Sequence, residues 1–260
     1  MPDFGTWNLK FINTMQITLY QIVQVVLLGI ILFYLIYYVY SVLFDKNYQP
    51  KAYRAAVKNG EVSDTLRKYE KKYPDKVRFF NFWFQVERLK NNGVQGAFAE
   101  LGVYKGDSAF LLHQMDKSRI FHLFDTFEGF QSKDLKPETG KAATYTTSNF
   151  ADTSIEKVKK RLSDPEFVFH QGYFPETTRG LENELFALVS MDADLYNPTK
   201  SGLEYFYPRL SPGGVIIVHD YNPDWPGIMK AVDDFAAGIP VPVVPVADVD
   251  SSVMIVKPKE

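Results

Sequence analysis

Regular alternation between apolar runs and helix-like stretches, from Gly93 onward, constrains the fold of this chain more than any other feature. Five runs read as strands, at 97–101, 119–125, 167–172, 185–192 and 213–220. Helix-like stretches lie at 106–116, 153–162, 199–210 and 226–237. Strands and helices that alternate in this way form a parallel sheet with helices on both faces. Runs at 241–248 and 251–258 predict an antiparallel hairpin at its edge. The pattern predicts an α/β domain with a mostly parallel seven-stranded sheet.

Acidic residues end four of the five predicted strands, which random loop polarity explains poorly. The residues at the five strand ends are Glu100, Asp125, Gln171, Asp192 and the pair His219–Asp220. In open α/β sheets, ligands bind outside the carboxyl ends of the strands. Asp194 adds a second carboxylate two residues after Asp192. Because an ionised group near a core must be paired or bind a cation, we expect these side chains to face a ligand, a metal or water.

The turn after the first strand has the spacing E-x-G-x-x-x-G, formed by Glu100, Gly102 and Gly106. Glycines permit a tight turn and a close approach of the backbone to a ligand. The spacing differs from the G-x-G-x-x-G turn that holds the pyrophosphate of a dinucleotide. Asp125 is placed to accept hydrogen bonds from ribose hydroxyls. The sequence therefore favours a nucleoside ligand without a diphosphate over NAD, and a dehydrogenase is disfavoured.

An N-terminal segment from Phe11 to Phe44 carries no charged residue. Its densest part, 22–44, would be roughly 35 Å long as a helix, enough to span a bilayer. Tyrosines cluster towards its end, as in an interfacial aromatic belt, and more bases follow it than precede it. We expect a tail at 1–16 and a single-pass transmembrane helix at 17–44, with the remainder of the chain in the cytoplasm. A buried core helix or an oligomerisation helix is the alternative.

The region 45–92 carries 12 basic and 6 acidic residues, whereas 93–260 has a net charge of −8. The bases are consistent either with a collar on anionic membrane lipids or with a solvated helix face, and the sequence does not decide between them. The aromatic residues are expected to pack against the following domain; they are Phe79, Phe80, Phe82, Trp83 and Phe84. We predict a juxtamembrane helical region at 45–92 and the main domain at 93–260. The acidic main domain disfavours nucleic-acid binding.

Some classes of chemistry are excluded by composition. The chain contains no cysteine, which excludes disulfides, thiolate metal sites and a cysteine nucleophile. No serine stands in a nucleophile elbow that a histidine and an acid could complete, so hydrolysis has no support.

Several motifs, taken in order, carry a family resemblance: "AELGVYKGDSA", "LFDTFEGF", "GYFPETT", "MDADLYNPT" and "YPRLSPGGVIIVHDY". Together they resemble the macrocin O-methyltransferase family from about Gly93 to Phe235. The resemblance implies a Rossmann-like class I methyltransferase fold. It also implies S-adenosylmethionine- and divalent-metal-dependent O-methylation of sugars. The apolar N-terminal segment is not part of the family pattern.

The resemblance implies roles for the residues at the strand ends. The methionine part of the cofactor would be lined by residues of the first turn, namely Glu100, Gly102, Tyr104 and Ser108, with Gly106 permitting the turn. Asp125 would bind the ribose and Gln171 would lie near the adenine. The segment 131–150 would form a mobile lid over the substrate.

The metal site is where the chain departs from the family. The resemblance implies that Asp192 binds Mg²⁺ or Mn²⁺ with residues 219 and 220, and that Asp194 supports the cofactor or substrate side. An acidic residue is expected at position 219, but this chain has His219. Imidazole is a poor Mg²⁺ ligand and a better ligand for Mn²⁺, Fe²⁺ or Zn²⁺. His219 is therefore a ligand of a softer metal, a general base beside Asp192 and Asp220, or the mark of a weakened metal site.

The function expected from these features is a membrane-anchored S-adenosylmethionine-dependent O-methyltransferase, with Asp192 and His219 as its catalytic residues. An anchored active site suits an acceptor that is also bound to the membrane, such as a lipid-linked glycan. The alternative is a non-catalytic methyltransferase-like membrane scaffold, for which His219 and the added anchor are the sequence support. The oligomeric state stays open, a homo-oligomer included.

Overall fold

Residues 19–259 are described by the structure, a computed structural model, with no side chains described at 44–47. The tail expected at 1–16 lies outside the described residues. The chain divides into two compact units, one ending at Gln49 and the other comprising Pro50–Glu260.

Helix α1 (Leu19–Asn47) forms the described part of the first unit. Its span Leu19–Leu43 is long and apolar enough to cross a membrane, judged by length and composition, and none of it is buried. The predicted helix is confirmed over its described part. Length and composition alone also fit a signal sequence.

A seven-stranded sheet with the order β3-β2-β1-β4-β5-β7-β6 forms the centre of the second unit. Its strands are β1 (Ala97–Leu101), β2 (Phe121–Asp125), β3 (Phe167–Gln171), β4 (Phe186–Met191), β5 (Leu210–Val218), β6 (Val244–Pro245) and β7 (Val253–Val256). The first five strands pair in parallel, and β7 runs antiparallel to both β5 and β6. The predicted mostly parallel sheet with an antiparallel edge hairpin is confirmed. It is the Rossmann-like class I methyltransferase fold.

Helices cover the sheet, and three of them precede it in the chain. The described helices of the second unit are α2 (Lys51–Lys58), α3 (Asp64–Lys72), α4 (Lys76–Asn91), α5 (Asp107–Met115), α6 (Ser132–Leu135), α7 (Ile155–Arg161), α8 (Tyr196–Arg209) and α9 (Pro226–Ala236). Short 3-10 turns lie at Gly140–Thr144 and Glu176–Thr178. Asp75 caps the start of α4, because its Oδ1 accepts a hydrogen bond from the Arg78 backbone N–H at 2.9 Å.

The aromatic face of α4 belongs to the core beneath the sheet. Its buried members are Phe79, Phe80, Phe82 and Trp83. The Tyr53 ring of α2 lies 5.8, 5.1 and 5.2 Å from three of them. Fully burying a large apolar side chain contributes roughly 1.5–3 kcal/mol, so this cluster is sufficient to hold α4 in place. The expected packing is confirmed except at Phe84, which is 40% exposed. The compact unit therefore begins at Pro50, ahead of the boundary expected at residue 93.

The carboxyl ends of the central strands lie level with one another. Leu101 pairs with Phe124 on one side and with Met191 on the other, and Met191 pairs with Val218. The residues that follow these positions therefore emerge along one edge of the sheet.

Candidate active site

A cavity of about 440 Å³ opens at the carboxyl ends of β1, β2, β4 and β5. Pockets of about 300–1,000 Å³ are typical for cofactors and small ligands. Eight of the predicted site residues line it: Gly102, Tyr104, Ser108, Asp125, Asp192, Asp194, His219 and Asp220. The structure therefore brings these eight residues together in one cavity at the carboxyl ends of the strands.

Gly102 forms the floor of the cavity where β1 ends. Its φ of +88° favours glycine, and a Cβ at this position would collide with the backbone carbonyl of Asp192. The close backbone approach anticipated from the sequence therefore occurs, but between two strand ends. Gly106 is the N-cap of α5 and has a φ of +77°. A Cβ there would lie too close to the side chains of Leu162 and Val158.

Asp125 fixes the turn that follows β1. Its Oδ2 accepts hydrogen bonds from the backbone N–H groups of Val103 at 2.7 Å and Tyr104 at 2.8 Å, and its Oδ1 accepts one from Phe127 at 2.7 Å. A carboxylate offers about four acceptor positions, so this arrangement leaves one for a ligand hydroxyl. The ribose contact of Asp125 stays a prediction, with one acceptor position left for a single hydroxyl.

Glu100, Gly106 and Gln171 do not line the cavity. Glu100 is fully buried, and neither carboxyl oxygen has a hydrogen bond of good geometry within the described residues. Burial raises the pKa of Glu100 to about 8, although the Ser108 hydroxyl opposes the rise. Gln171 is exposed at the end of β3, beside Asp125 in the register.

Asp192 is the centre of a charged cluster. Its Oδ2 accepts a hydrogen bond from Arg78 Nη2 at 2.9 Å, and its Oδ1 lies 3.2 Å from His219 Nδ1. The same His219 nitrogen lies 3.3 Å from Asp220 Oδ2, and His219 Nε2 is 3.9 Å from Asp250 Oδ2. Apart from the His219–Asp220 pair, these contacts join residues that lie far apart in the sequence, so the sequence alone could not predict them.

Protonation in this cluster follows from burial and charge. Burial alone would raise the pKa of Asp192, but His219 and Arg78 outweigh it and hold that pKa well below its usual range. Burial would lower the pKa of His219, yet Asp192 and Asp220 raise it to about 10. The pKa of Asp194 is raised well above its usual value by burial and by the carboxylates of Asp192 and Asp220. The imidazole is therefore charged at neutral pH when no cation is present.

The donor set fits a divalent cation. One atom each from Asp192, His219 and Asp220 lies within 4.8 Å of the others. The 3.2 and 3.3 Å spacings match neighbouring ligands placed about 2.1 Å from one ion. Two carboxylates with one imidazole suit Mn²⁺ or another borderline metal better than Mg²⁺. Arg78 holds the other oxygen of Asp192, as outer groups commonly orient metal ligands.

Asp194 is set apart from Asp192 although only one residue separates them. Its backbone has a φ of +59°, and it lines the cavity. Within the described residues it makes no hydrogen bond or ion pair that would occupy its carboxyl group. The two aspartates of this strand end therefore have different surroundings, one tightly paired and one facing the cavity.

Among the contributors to the cavity wall that the sequence analysis did not single out are Tyr73, Arg78 and Asp250. Arg78 is separated from Asp192 by 114 positions and lies in the region assigned to a juxtamembrane role. The one local signal was a base inside an aromatic helix face. Such a base must be paired when that face is buried.

The expected lid segment forms one wall of the cavity. Tyr145 stacks on Phe130 at 5.3 Å and meets Trp225 at 5.4 Å. Tyr104 and Lys105 both contact the Asp152 carboxylate at 2.6 Å. Phe130, Phe150 and Trp225 line the cavity, so aromatic rings form part of this wall. Whether the segment moves stays a prediction.

Comparison with known proteins identifies the family of this chain. A family model described as Macrocin-O-methyltransferase (TylF) matches residues 75–256. The chain belongs to this family. The match includes α4 and hence Arg78, and it leaves out α1.

Curated relatives of this family member are named as O-methyltransferases, and the name of one includes a rhamnosyl group. An 8-demethyl-8-(2,3-dimethoxy-alpha-L-rhamnosyl)-tetracenomycin-C 4'-O-methyltransferase of Streptomyces olivaceus is 30% identical over 176 residues, 61% of this chain and 64% of that protein. Mycinamicin III 3''-O-methyltransferase of Micromonospora griseorubida is 30% identical over 158 residues, 55% of this chain and 62% of that protein. The chain spans just under two thirds of the length of these relatives.

Solved structures share the fold. The O-methyltransferase NovP is similar with a TM-score of 0.63 and 26% identity, over 71% of this chain and 81% of that one. A calicheamicin methyltransferase, CalS11, shares the fold with a TM-score of 0.57 and 23% identity, over 69% of this chain and 78% of that one.

Proposed function

We propose that this protein is an S-adenosylmethionine-dependent O-methyltransferase that acts on a hydroxyl of a sugar or glycoconjugate. The observation that carries the proposal is the acidic cavity at the ends of β1, β2, β4 and β5, in a member of the macrocin-O-methyltransferase family. Both relatives are named as O-methyltransferases, and the rhamnosyl group in the name of the Streptomyces olivaceus protein supports the acceptor class.

Binding of the methyl donor is assigned to the β1–α5 turn and the end of β2. Gly102 lets the turn lie against the Asp192 carbonyl, Ser108 lies in the first turn of α5, and Asp125 offers its remaining acceptor position to the ribose. The donor supplies a methyl group on a sulfonium, and the protein must hold it in line with the acceptor oxygen.

Activation of the acceptor is assigned to the cluster at β4 and β5. Asp192, His219 and Asp220 would hold a divalent cation, which when bound lowers the pKa of a chelated hydroxyl and orients it. Asp194 is proposed to take the hydroxyl proton, since His219 Nδ1 is engaged by Asp192 and Asp220 and since a cation bound at the cluster would offset the carboxylates that raise the pKa of Asp194. His219 is thus proposed to serve as a ligand and not as the base.

A single-pass membrane anchor with the catalytic unit in the cytoplasm is proposed for α1. Its apolar span and the basic residues that follow it in sequence support this arrangement. A lipid-linked glycan is then a suitable acceptor, because enzyme and acceptor would share one membrane surface. In carbonate extraction, release into the soluble fraction would exclude the anchor.

Calorimetric titration with S-adenosylhomocysteine tests the function. We expect binding to the full chain in mild detergent and strong weakening in Asp125→Ala. Transfer of labelled methyl groups to membrane glycolipid extracts, with Mn²⁺ or with EDTA, then tests acceptor and metal. Absence of binding would remove the enzyme proposal and favour the scaffold alternative, which His219 motivates.

A further inference from the structure

Arg78 is the buried cation of the cavity wall. It lies in the first turn of α4, its side chain is 11% exposed, and Nη2 donates to Asp192 Oδ2 at 2.9 Å. Its Nε is buried without an acceptor, and Nη1 makes no hydrogen bond to any described residue. Guanidinium has five N–H donors, and burying it with most of them unused is costly. A ligand in the cavity would reach the terminal Nη1 and Nη2 donors, and unused donors in a cavity wall are explained when a ligand supplies the acceptors.

Topology places Arg78 at the end of the cavity opposite the ribose position. Asp125 is the last residue of β2, Asp192 follows β4, and β1 lies between these strands. Two strand spacings amount to roughly 10 Å across the sheet. The Asp192 carbonyl packs against Gly102, so Arg78 and Asp192 stand just beyond the turn. A nucleoside with its ribose at Asp125 and an arm laid across Gly102 would reach Arg78 with the end of that arm.

Charge identifies the group that Arg78 would meet. Seven aspartates and three Lys or Arg residues line the cavity, which favours a cationic ligand. The two lysines, Lys105 and Lys141, are more exposed than Arg78. The amino-acid arm of S-adenosylmethionine carries a sulfonium, an ammonium and a single carboxylate. That carboxylate is the one group on the ligand that requires a cation, and a planar guanidinium fork matches its geometry.

We infer that Arg78 binds the α-carboxylate of the S-adenosylmethionine arm while its Nη2 keeps Asp192 in place. The inference rests on the proposed function and deepens it. It makes α4, from the helical region before the sheet, part of the cofactor site. It also ties recognition of the cofactor to the orientation of Asp192 through a single side chain.

A pair of ligands tests the inference without turnover. S-adenosylmethionine and its decarboxylated form differ only in the carboxylate, and both are titrated into the full chain in detergent with EDTA and no acceptor. The wild-type protein should bind the complete ligand about 10- to 100-fold more tightly, as expected for a charge-assisted contact. Arg78→Met should weaken the complete ligand by a similar factor and change the decarboxylated one by about threefold or less. Arg78→Lys, which keeps charge but loses the fork, should fall between.

Matched controls separate this role from a structural one. Lys105→Met removes another cation of the cavity wall, one paired with Asp152, and should affect both ligands equally. Equal weakening of both ligands by Arg78→Met would mean that Arg78 acts only through Asp192 or the fold, and would overturn the inference. Equal wild-type affinity for both ligands would also overturn it. If the wild-type protein binds neither ligand, the proposed function fails first and this inference fails with it.

Discussion

His219→Gln in the metal-free protein probes the charge of the cluster most directly. His219 Nδ1 lies 3.2 Å from Asp192 Oδ1 and 3.3 Å from Asp220 Oδ2, and the side chain is 10% exposed. These carboxylates raise its pKa from 6.5 to about 10. Glutamine keeps a hydrogen-bond donor of similar length and removes the charge.

The size and sign of the effect follow from linkage. A group whose pKa is higher in the folded state stabilises that state fully below its unfolded pKa and loses the contribution as pH rises through the folded pKa. At 1.36 kcal/mol per pKa unit, a shift of this size is worth at most about 5 kcal/mol. The decline runs from pH 6.5 to about 10, and between pH 7 and 9 it amounts to about 2.7 kcal/mol. For a unit of this size that corresponds to a fall in Tm of roughly 5–10 °C.

Thermal unfolding of the full chain in detergent with EDTA, at pH 7, 8 and 9, measures this slope. The wild-type Tm should fall with pH more steeply than the Tm of His219→Gln, because the glutamine does not titrate. Saturating Mn²⁺ should flatten the wild-type slope, since a coordinated imidazole is already deprotonated. Parallel slopes for the two proteins without metal would refute the claim that Asp192 and Asp220 hold His219 charged.

Three further substitutions address the turn, the cap and the metal. Gly102→Ala should reduce the affinity for S-adenosylhomocysteine about tenfold or more in calorimetry, because the added Cβ would collide with the backbone of Asp192. The control is Gly60→Ala, at a φ of +77° in open space, which should leave that affinity unchanged. Equal effects of the two substitutions would contradict the reasoning. Asp75→Ala removes the α4 cap, which should lower the free energy of unfolding by about 1–2 kcal/mol and also weaken cofactor binding. Ser63→Ala removes the α3 cap and should lower the stability without changing cofactor binding. His219→Asp should shift the metal preference from Mn²⁺ to Mg²⁺, measured by competition between the two ions with the electron paramagnetic resonance of Mn²⁺ as the signal. An unchanged preference would argue against a metal–imidazole bond.

The sequence was sufficient for features that depend on local pattern. Runs such as 97–101 and 186–191 are mostly apolar and buried on both faces, and an acid lies within the first and directly after the second, so strand positions and the candidate edge could be read directly. Contacts between residues far apart in the sequence could not be read in this way. Asp125 faces three backbone N–H groups whose positions depend on the turn conformation, and Glu100 proved too deeply buried to line the cavity. The register of β5 also extends to Leu210, because that residue pairs with Phe186 ahead of the predicted start.

The position of Arg78 changes the meaning of the helical region before the sheet. Periodicity in "VRFFNFWF" identified a packing surface, and Phe79, Phe82 and Trp83 do pack. The same helix carries the guanidinium that neutralises Asp192, and Asp75 at its cap also accepts a hydrogen bond from the Val249 backbone N–H at 2.8 Å, next to the cavity residue Asp250. Packing and charge of the site therefore depend on one element. Because removing α4 would leave Asp192 without its cation beside a vacant core, the smallest part of the chain able to carry the proposed chemistry must include α4 and its cap, Asp75.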